Sequence, residues 1–338
     1  MRKRILIVSP ATARENNGNW QTASRWARFL RGGHAVGIAG GWSAGHRAPD
    51  LMIALHARRS AAALAAFRAV FPARPAVLVL TGTDLYRDIA TDADARASLD
   101  RATTLILLQP AGLAMLPDAL RAKARVIYQS APALRPWQPP SAPRRHDICM
   151  IGHLREEKDP MTFIRAAGMV THPAARLLHI GGALDPSIGA AAQRAQAANP
   201  RYRWLGALPH AAARQRLKRC RAMVIASRME GGANVIIEAV TCGVPVLASD
   251  INGNRGMLGE DYAGYFAPGD AAALAVLIDR IIGDAAFDAL LRAQCAARAV
   301  LFAPAAERAA LRDLVDNLLL HAPGATQPTL EDIDEHHA

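Results

Sequence analysis

With 338 residues the chain is long enough for about two domains, whose cores need no covalent staples. Apolar residues make up 51% and charged residues 20%, with Gly and Pro scattered rather than repeated, which excludes a disordered, collagen-like or disulfide-scaffold protein. A formal net charge of +11 favours an anionic partner: a nucleic acid, a membrane surface or a small phosphate ester.

The only lysines are Lys3, Lys123, Lys158 and Lys218, and the arginines are spread along the whole length, as an Ala/Arg-rich composition alone would produce. Aromatics are 5% and no stacking motif accompanies the charge, which argues against nucleic acid. The apolar run that opens at Ile5 is ended by Pro10, too early for a signal sequence, and no stretch approaches the roughly 18 apolar residues of a membrane span. Cys149, Cys220, Cys242 and Cys295 stand alone among apolar neighbours and read as buried free thiols of a reducing cytoplasm.

Short apolar runs alternate with longer segments of helical period, the pattern of parallel sheets covered on both faces. The first half predicts strands at 4–9, 34–39, 50–55, 76–80, 104–108 and 125–128. Five prolines between Ala131 and Pro143 then stiffen an extended connector. A second series predicts strands at 147–151, 176–180, 202–205, 222–226 and 244–248, with helices near 159–169, 187–198, 209–219 and 233–242. Residues 270–321 have helical character throughout, and the last segment carries Glu331, Asp332, Asp334 and Glu335. The expected architecture is α/β, two Rossmann-like doubly wound domains facing across a ligand cleft. Its parts are a first domain at 1–133, a linker at 134–145, a second domain at 146–303, a C-terminal helix at 304–322 packing back on the first domain, and an acidic tail at 323–338.

The most informative stretch runs from Ser227 to Ala239, leaving a strand, passing Gly231 and Gly232 and entering a helix. The glycines permit unusual dihedrals and close approach of a ligand, and the first-turn amides of Ala233, Asn234 and Val235 suit a diphosphate. Glu230 and Glu238 face the same place; a carboxylate repels phosphate, so each suits uncharged hydroxyls, a sugar at Glu230 and a ribose diol at Glu238. A capping Glu beside an exposed Glu is the plain structural reading of the same pair.

Glu230 to Glu238 followed by Cys242-Gly243-Val244-Pro245-Val246 resembles the E-x7-E signature of retaining nucleotide-sugar glycosyltransferases with the GT-B fold. Ile151 to Asp159 resembles their G-R-L-x-x-x-K-G loop, which implies that Lys158 contacts the donor diphosphate. Leu55 to Ser60, Leu80 to Asp88, Ser227 to Asn234 and Gly264-Tyr265-Phe266 together resemble the selenosugar synthases of selenoneine biosynthesis, from Arg4 to about Leu320. That resemblance implies joining selenophosphate to the anomeric carbon of UDP-N-acetylglucosamine or UDP-glucose, giving a 1-selenosugar, UDP and phosphate, with no cofactor and no metal. The sequence departs from the wider pattern at His153, where an arginine is usual, and at Thr81, where a histidine is usual.

A selenophosphate is already anionic, so it needs cations and dipoles to hold it rather than a base. The candidates in the first domain are Arg14, Gly18, Asn19, Arg58, Arg59, Thr81 and Thr83, with the segment Asn16-Asn17-Gly18-Asn19 placed ahead of the first helix. Arg58 and Arg59 also read as a solvated helix face with one of the two pointing away. His56 offers a sugar contact, a proton shuttle or a structural histidine, Asp84 a catalytic carboxylate that orients a water or an arginine, or else a turn cap, and His34 reads as structural. The D-x-D pairs Asp92/Asp94 and Asp332/Asp334 do not end a strand and are set aside as metal ligands. Two other readings stay open: transfer to an ordinary hydroxyl or thiol acceptor, and a non-catalytic nucleotide-sugar binder or an epimerase. The pattern leaves oligomeric state open.

Overall fold

The computed structural model describes residues 2–14, 18–135, 137 and 144–322; Asn16, Asn17, most of the 134–145 connector, and the 323–338 segment with Asp332 and Asp334 lie outside the described residues. By packing, the chain forms two units. One comprises Met1–Leu107, Leu116–Ile127 and the chain from Arg308; the other comprises Leu108–Met115 and Tyr128–Glu307.

The first unit holds β1 (Arg4–Val8), β2 (Ala35–Ala39), β3 (Leu51–Leu55), β4 (Ala76–Leu80), β5 (Thr104–Leu107) and β6 (Ala124–Val126), in the order β2-β1-β3-β4-β5-β6. Every ladder is parallel. All residues of β3 and β4 are buried, so these strands read as unbroken apolar runs because helices cover both faces. The helix Pro304–Leu320 places Leu311, Val315 and Leu319 on one buried stripe; Arg312 Nε donates to Phe29 O (2.8 Å) and His34 Nε2 meets Asp316 Oδ1 (2.9 Å).

The second unit repeats the plan with β7 (His146–Ile151), β8 (Ala175–Ile180), β9 (Tyr202–Trp204), β10 (Ala222–Ile225), β11 (Val246–Ser249) and β12 (Tyr265–Phe266), ordered β12-β11-β10-β7-β8-β9 and again parallel throughout. Strand β12, two residues long, has no counterpart in the sequence reading. The helical stretch 270–321 is divided: Gly283 ends one helix, and Asp284 caps the next by accepting from Phe287 N (3.0 Å). No helix among the described residues is long and apolar enough to cross a membrane, and all four cysteines are buried free thiols.

In each sheet the strand order reverses direction once, between β1 and β3 and between β7 and β10. Open parallel sheets bind ligands outside the carboxyl ends of the strands at such a reversal, because the flanking connections diverge there and leave a crevice.

Candidate functional site

At the reversal of the second sheet, the chain leaves β7 through Gly152–Arg155 into one tight turn, Glu156–Lys158, and leaves β10 through 226–233 into the helix Asn234–Thr241. The two loops are tied together, since Arg228 N donates to Glu157 O (2.9 Å). Asp159 follows Lys158 in a left-handed conformation (φ 43°), unusual for a side-chain-bearing residue. Its carboxylate accepts from Thr162 Oγ1 (2.9 Å) and caps the helix Pro160–Met169, so the turn that aims Lys158 is held by a helix start.

Lys158 Nζ donates to Glu230 Oε1 at 2.5 Å, and Ser227 Oγ donates to the same oxygen at 2.6 Å. Behind them Ser249 Oγ donates to Ser227 O (2.6 Å) and Asn254 Nδ2 to Ser249 O (2.9 Å). The result is one fixed carboxylate oxygen; the other, Oε2, has no bond among the described residues. Ser227 lies in the motif singled out from sequence, but its hold on Glu230 was not legible there.

Gly231 and Gly232 are not needed for left-handed backbone, since neither has positive φ; this corrects the expectation of unusual dihedrals. Gly232 is required by close packing instead, because a Cβ there would lie 2.6 Å from Leu108 Cβ. The helix that follows starts at Ala233 without a side-chain cap, so its first-turn amides are left to a ligand or to water.

Glu238, buried in that helix, meets His210 Nε2 at 2.6 Å. The hydrogen bond to the carboxylate holds the His210 imidazole protonated to higher pH than usual, against partial burial and the nearby Arg214. His210 was missed by sequence: it opens the helix His210–Leu217 as an isolated histidine, and its partner comes from a different strand–helix unit. His153 is exposed, and its Nδ1 accepts from Gly182 N (3.1 Å).

In the first unit His56, Arg58 and Arg59 follow β3, and Thr81, Thr83 and Asp84 follow β4. Asp84 is fully buried and accepts from Ala57 N (2.9 Å), Thr81 N (2.9 Å) and Gly82 N (2.8 Å), which makes it the clamp between the two loops. His56 has φ 73°; its Nδ1 accepts from Arg59 N (3.4 Å) and its Nε2 meets Thr83 Oγ1 (3.2 Å). With Nδ1 accepting, the ring proton sits on Nε2, and burial keeps the imidazole neutral to lower pH than usual, outweighing Asp84 and Asp88. Arg58 and Arg59 lie in a turn before the helix Ala61–Val70 rather than on a helix face. Arg58 Nε pairs with Asp88 Oδ2 (3.1 Å), and Asp88 was not anticipated. Arg14 lies exposed after β1, and Gly18 and Asn19 are the first residues of the helix Gly18–Leu30 rather than ahead of it. Asp92 caps the helix Ala93–Arg101 by accepting from Ala95 N (2.9 Å), and Asp94 lies in its first turn.

The structure therefore gathers Lys158, Glu230 and the Gly231–Val235 turn at one sheet reversal, with Glu238 one turn into the same helix. Residues 135–300 match the family described as glycosyl transferases group 1. Among solved structures, the sucrose-phosphate synthase of Thermosynechococcus elongatus is similar at TM-score 0.76 and 18% identity, covering 94% of this chain and 99% of that one. HepE of Anabaena in complex with UDP-glucose is similar at TM-score 0.73 and 17% identity, covering 94% of this chain and 100% of that one. The lipopolysaccharide outer core galactosyltransferase WaaB is similar at TM-score 0.69 and 13% identity, covering 93% and 99%. These likenesses establish the fold, and the family match falls on the segment that carries Lys158, Glu230 and Glu238. The chain has the GT-B fold, and its residues 135–300 are similar to the group 1 glycosyltransferases.

Proposed function

We propose that the second unit binds a UDP-sugar and that the enzyme transfers its sugar to selenophosphate. The observation that carries the donor half is the grouping at one sheet reversal of the Lys158 ammonium, an uncapped helix start and Glu230, whose Oε2 is unengaged among the described residues. Lys158 and the amides of Ala233, Asn234 and Val235 suit the diphosphate, with His153 as a further donor. Glu238 accepts from the ribose hydroxyls and Glu230 from those of the sugar, uncharged groups that carboxylates bind without repulsion. HepE was solved in complex with UDP-glucose, which supports a uridine donor.

In the reaction the anomeric C–O bond breaks with its electron pair leaving on UDP, while selenium forms the C–Se bond. Water then cleaves the Se–P bond and phosphate departs, leaving the 1-selenosugar. The positive charge of Lys158 stabilises the leaving diphosphate, so the step needs no metal ion for charge. The acceptor half rests on the resemblance of 55–60, 80–88 and 227–234 to selenosugar synthases, and on Arg14, Arg58, Arg59, Gly18, Asn19, Thr81 and Thr83 as anion-holding groups. It is also supported by His56, whose ring is bonded at both nitrogens and is poorly suited to remove a proton from a hydroxyl acceptor. A reducing cytoplasm, where selenophosphate persists, is the matching compartment.

The test is incubation with UDP-N-acetylglucosamine or UDP-glucose and either selenophosphate or hydroxyl and thiol acceptors, followed by mass spectrometry. A 1-selenosugar with stoichiometric UDP is expected. Turnover only with a hydroxyl or thiol would make the protein an ordinary glycosyltransferase, and donor binding without any transfer would make it a binder.

A further inference from the structure

We propose that His210 is a positioning residue for the donor: it fixes one oxygen of Glu238 so that the other is presented to the paired ribose hydroxyls, and its positive charge offsets a carboxylate placed near an anionic diphosphate. This rests on the reading of Glu238 as the ribose acceptor. The geometry is specific. Nε2 of His210 and Oε1 of Glu238 are 2.6 Å apart, and Glu238 Oε2 has no bond among the described residues. Glu238 is buried, so a carboxylate left without this partner would be free to turn or to take up a proton. His210 is about half exposed, which leaves it free to lose its proton without disturbing the core.

The groups that face the pair are few. Arg214, one turn further along the helix His210–Leu217, pushes His210 toward the neutral form, but its Nη2 donates to Pro132 O (2.6 Å) and so is anchored elsewhere. Cys242 Sγ lies 4.0 Å from Arg214 Nη2, and burial raises its thiol so that it stays uncharged in the same range. Glu238 therefore dominates His210, and the imidazolium form persists to higher pH than in an unpaired histidine. As pH rises through that raised value the charge is lost, and an anionic donor meets an uncompensated Glu238. Donor affinity should then fall with rising pH, the reverse of what a histidine serving as a base would give.

The probe is UDP-N-acetylglucosamine, whose diphosphate is a diester and does not titrate in this range. Its dissociation constant is measured by calorimetry between pH 6 and 9 for the wild type, His210→Gln, His210→Ala and Glu238→Ala, with the melting temperature of each free protein as a check on folding. At the lower pH, His210→Ala should weaken binding about ten- to hundredfold, the range for a lost charge-assisted hydrogen bond. His210→Gln, which retains a donor without the charge, should recover part of that affinity and lose the pH slope of the wild type. Wild-type affinity in His210→Ala, or an unchanged pH slope in His210→Gln, overturns the role of His210 while leaving the donor reading intact. No binding by the wild type, or full binding by Glu238→Ala, overturns the donor reading and the role of His210 with it.

Discussion

Lys158 and Glu230 each restrict the other more than they stabilise the fold. An ion pair with solvent access contributes about 1 kcal/mol or less, and the Lys158 side chain is 21% exposed. Removing the ammonium leaves Glu230 held by Ser227 alone, with its charge facing an incoming diphosphate. Lys158→Ala should therefore lower UDP release from the donor by about a hundredfold or more, while the circular dichroism spectrum is unchanged. Near-normal turnover in that variant would remove Lys158 from the chemistry. Glu238→Ala should weaken UDP-sugar binding by about 1.5 to 3 kcal/mol, read by titration calorimetry, because the lost hydrogen bonds are made to a charged group. These residues were legible because two glycines between a strand and a helix, with carboxylates eight positions apart, form a local pattern. His210, Ser227 as a tether and Asp88 were not. The partners of His210 and Asp88 arrive through strand order, which no local spacing records, and Ser227 lies three residues before Glu230 in a loop whose backbone path the spacing does not fix.

Element packing makes a sharper demand on the same site. The helix Asn252–Leu258 presses its first turn against the loop after β10, so that a Cβ on Gly253 would lie 2.0 Å from the carbonyl oxygen of Glu230. That obstacle is backbone and cannot rotate aside. Gly253→Ala should lower thermal stability by about 2 kcal/mol or more and weaken donor binding as well, because the loop carrying Glu230 must move. Gly283→Ala, at a helix end where an added methyl meets nothing within 4 Å, should leave the melting temperature the same or slightly raise it. Equal melting temperatures for the two variants would show that the contact at Gly253 yields. At this scale most of the fold was legible, because β3, β4 and their counterparts are buried on both faces and stand out as apolar runs between helical segments. What escaped was short or locally ambiguous: Tyr265–Phe266 is too brief for any periodicity, and the turn at 57–60 runs without a break into the Ala-rich helix Ala61–Val70 and passes for its start.

Across the molecule, histidines bury neutral rings while the surface carries the excess positive charge, and both weaken the fold as pH falls. His179 on β8 is fully buried against Tyr202, whose hydroxyl lies 2.9 Å from Nδ1, and burial pushes the histidine down to about 4. His56 in the first unit is lowered too, by burial. Such groups bind a proton more readily in the unfolded chain, where the value is 6.5, than in the folded one. The stability they supply is complete above 6.5 and is lost as pH falls from there toward the folded value, amounting to about 3 kcal/mol for His179 when pH nears 4. His210 has the opposite sign: its raised value makes its contribution complete below 6.5 and lost above the folded value, but the side chain is 46% exposed and the effect on stability is small. Urea unfolding of the wild type at pH 7.5 and 4.5 should show a loss that His179→Gln, which keeps a polar group near Tyr202 without the titration, reduces by about 2 to 3 kcal/mol. Parallel losses in the two proteins would mean that acid unfolds the chain through its surface charge rather than through this buried ring.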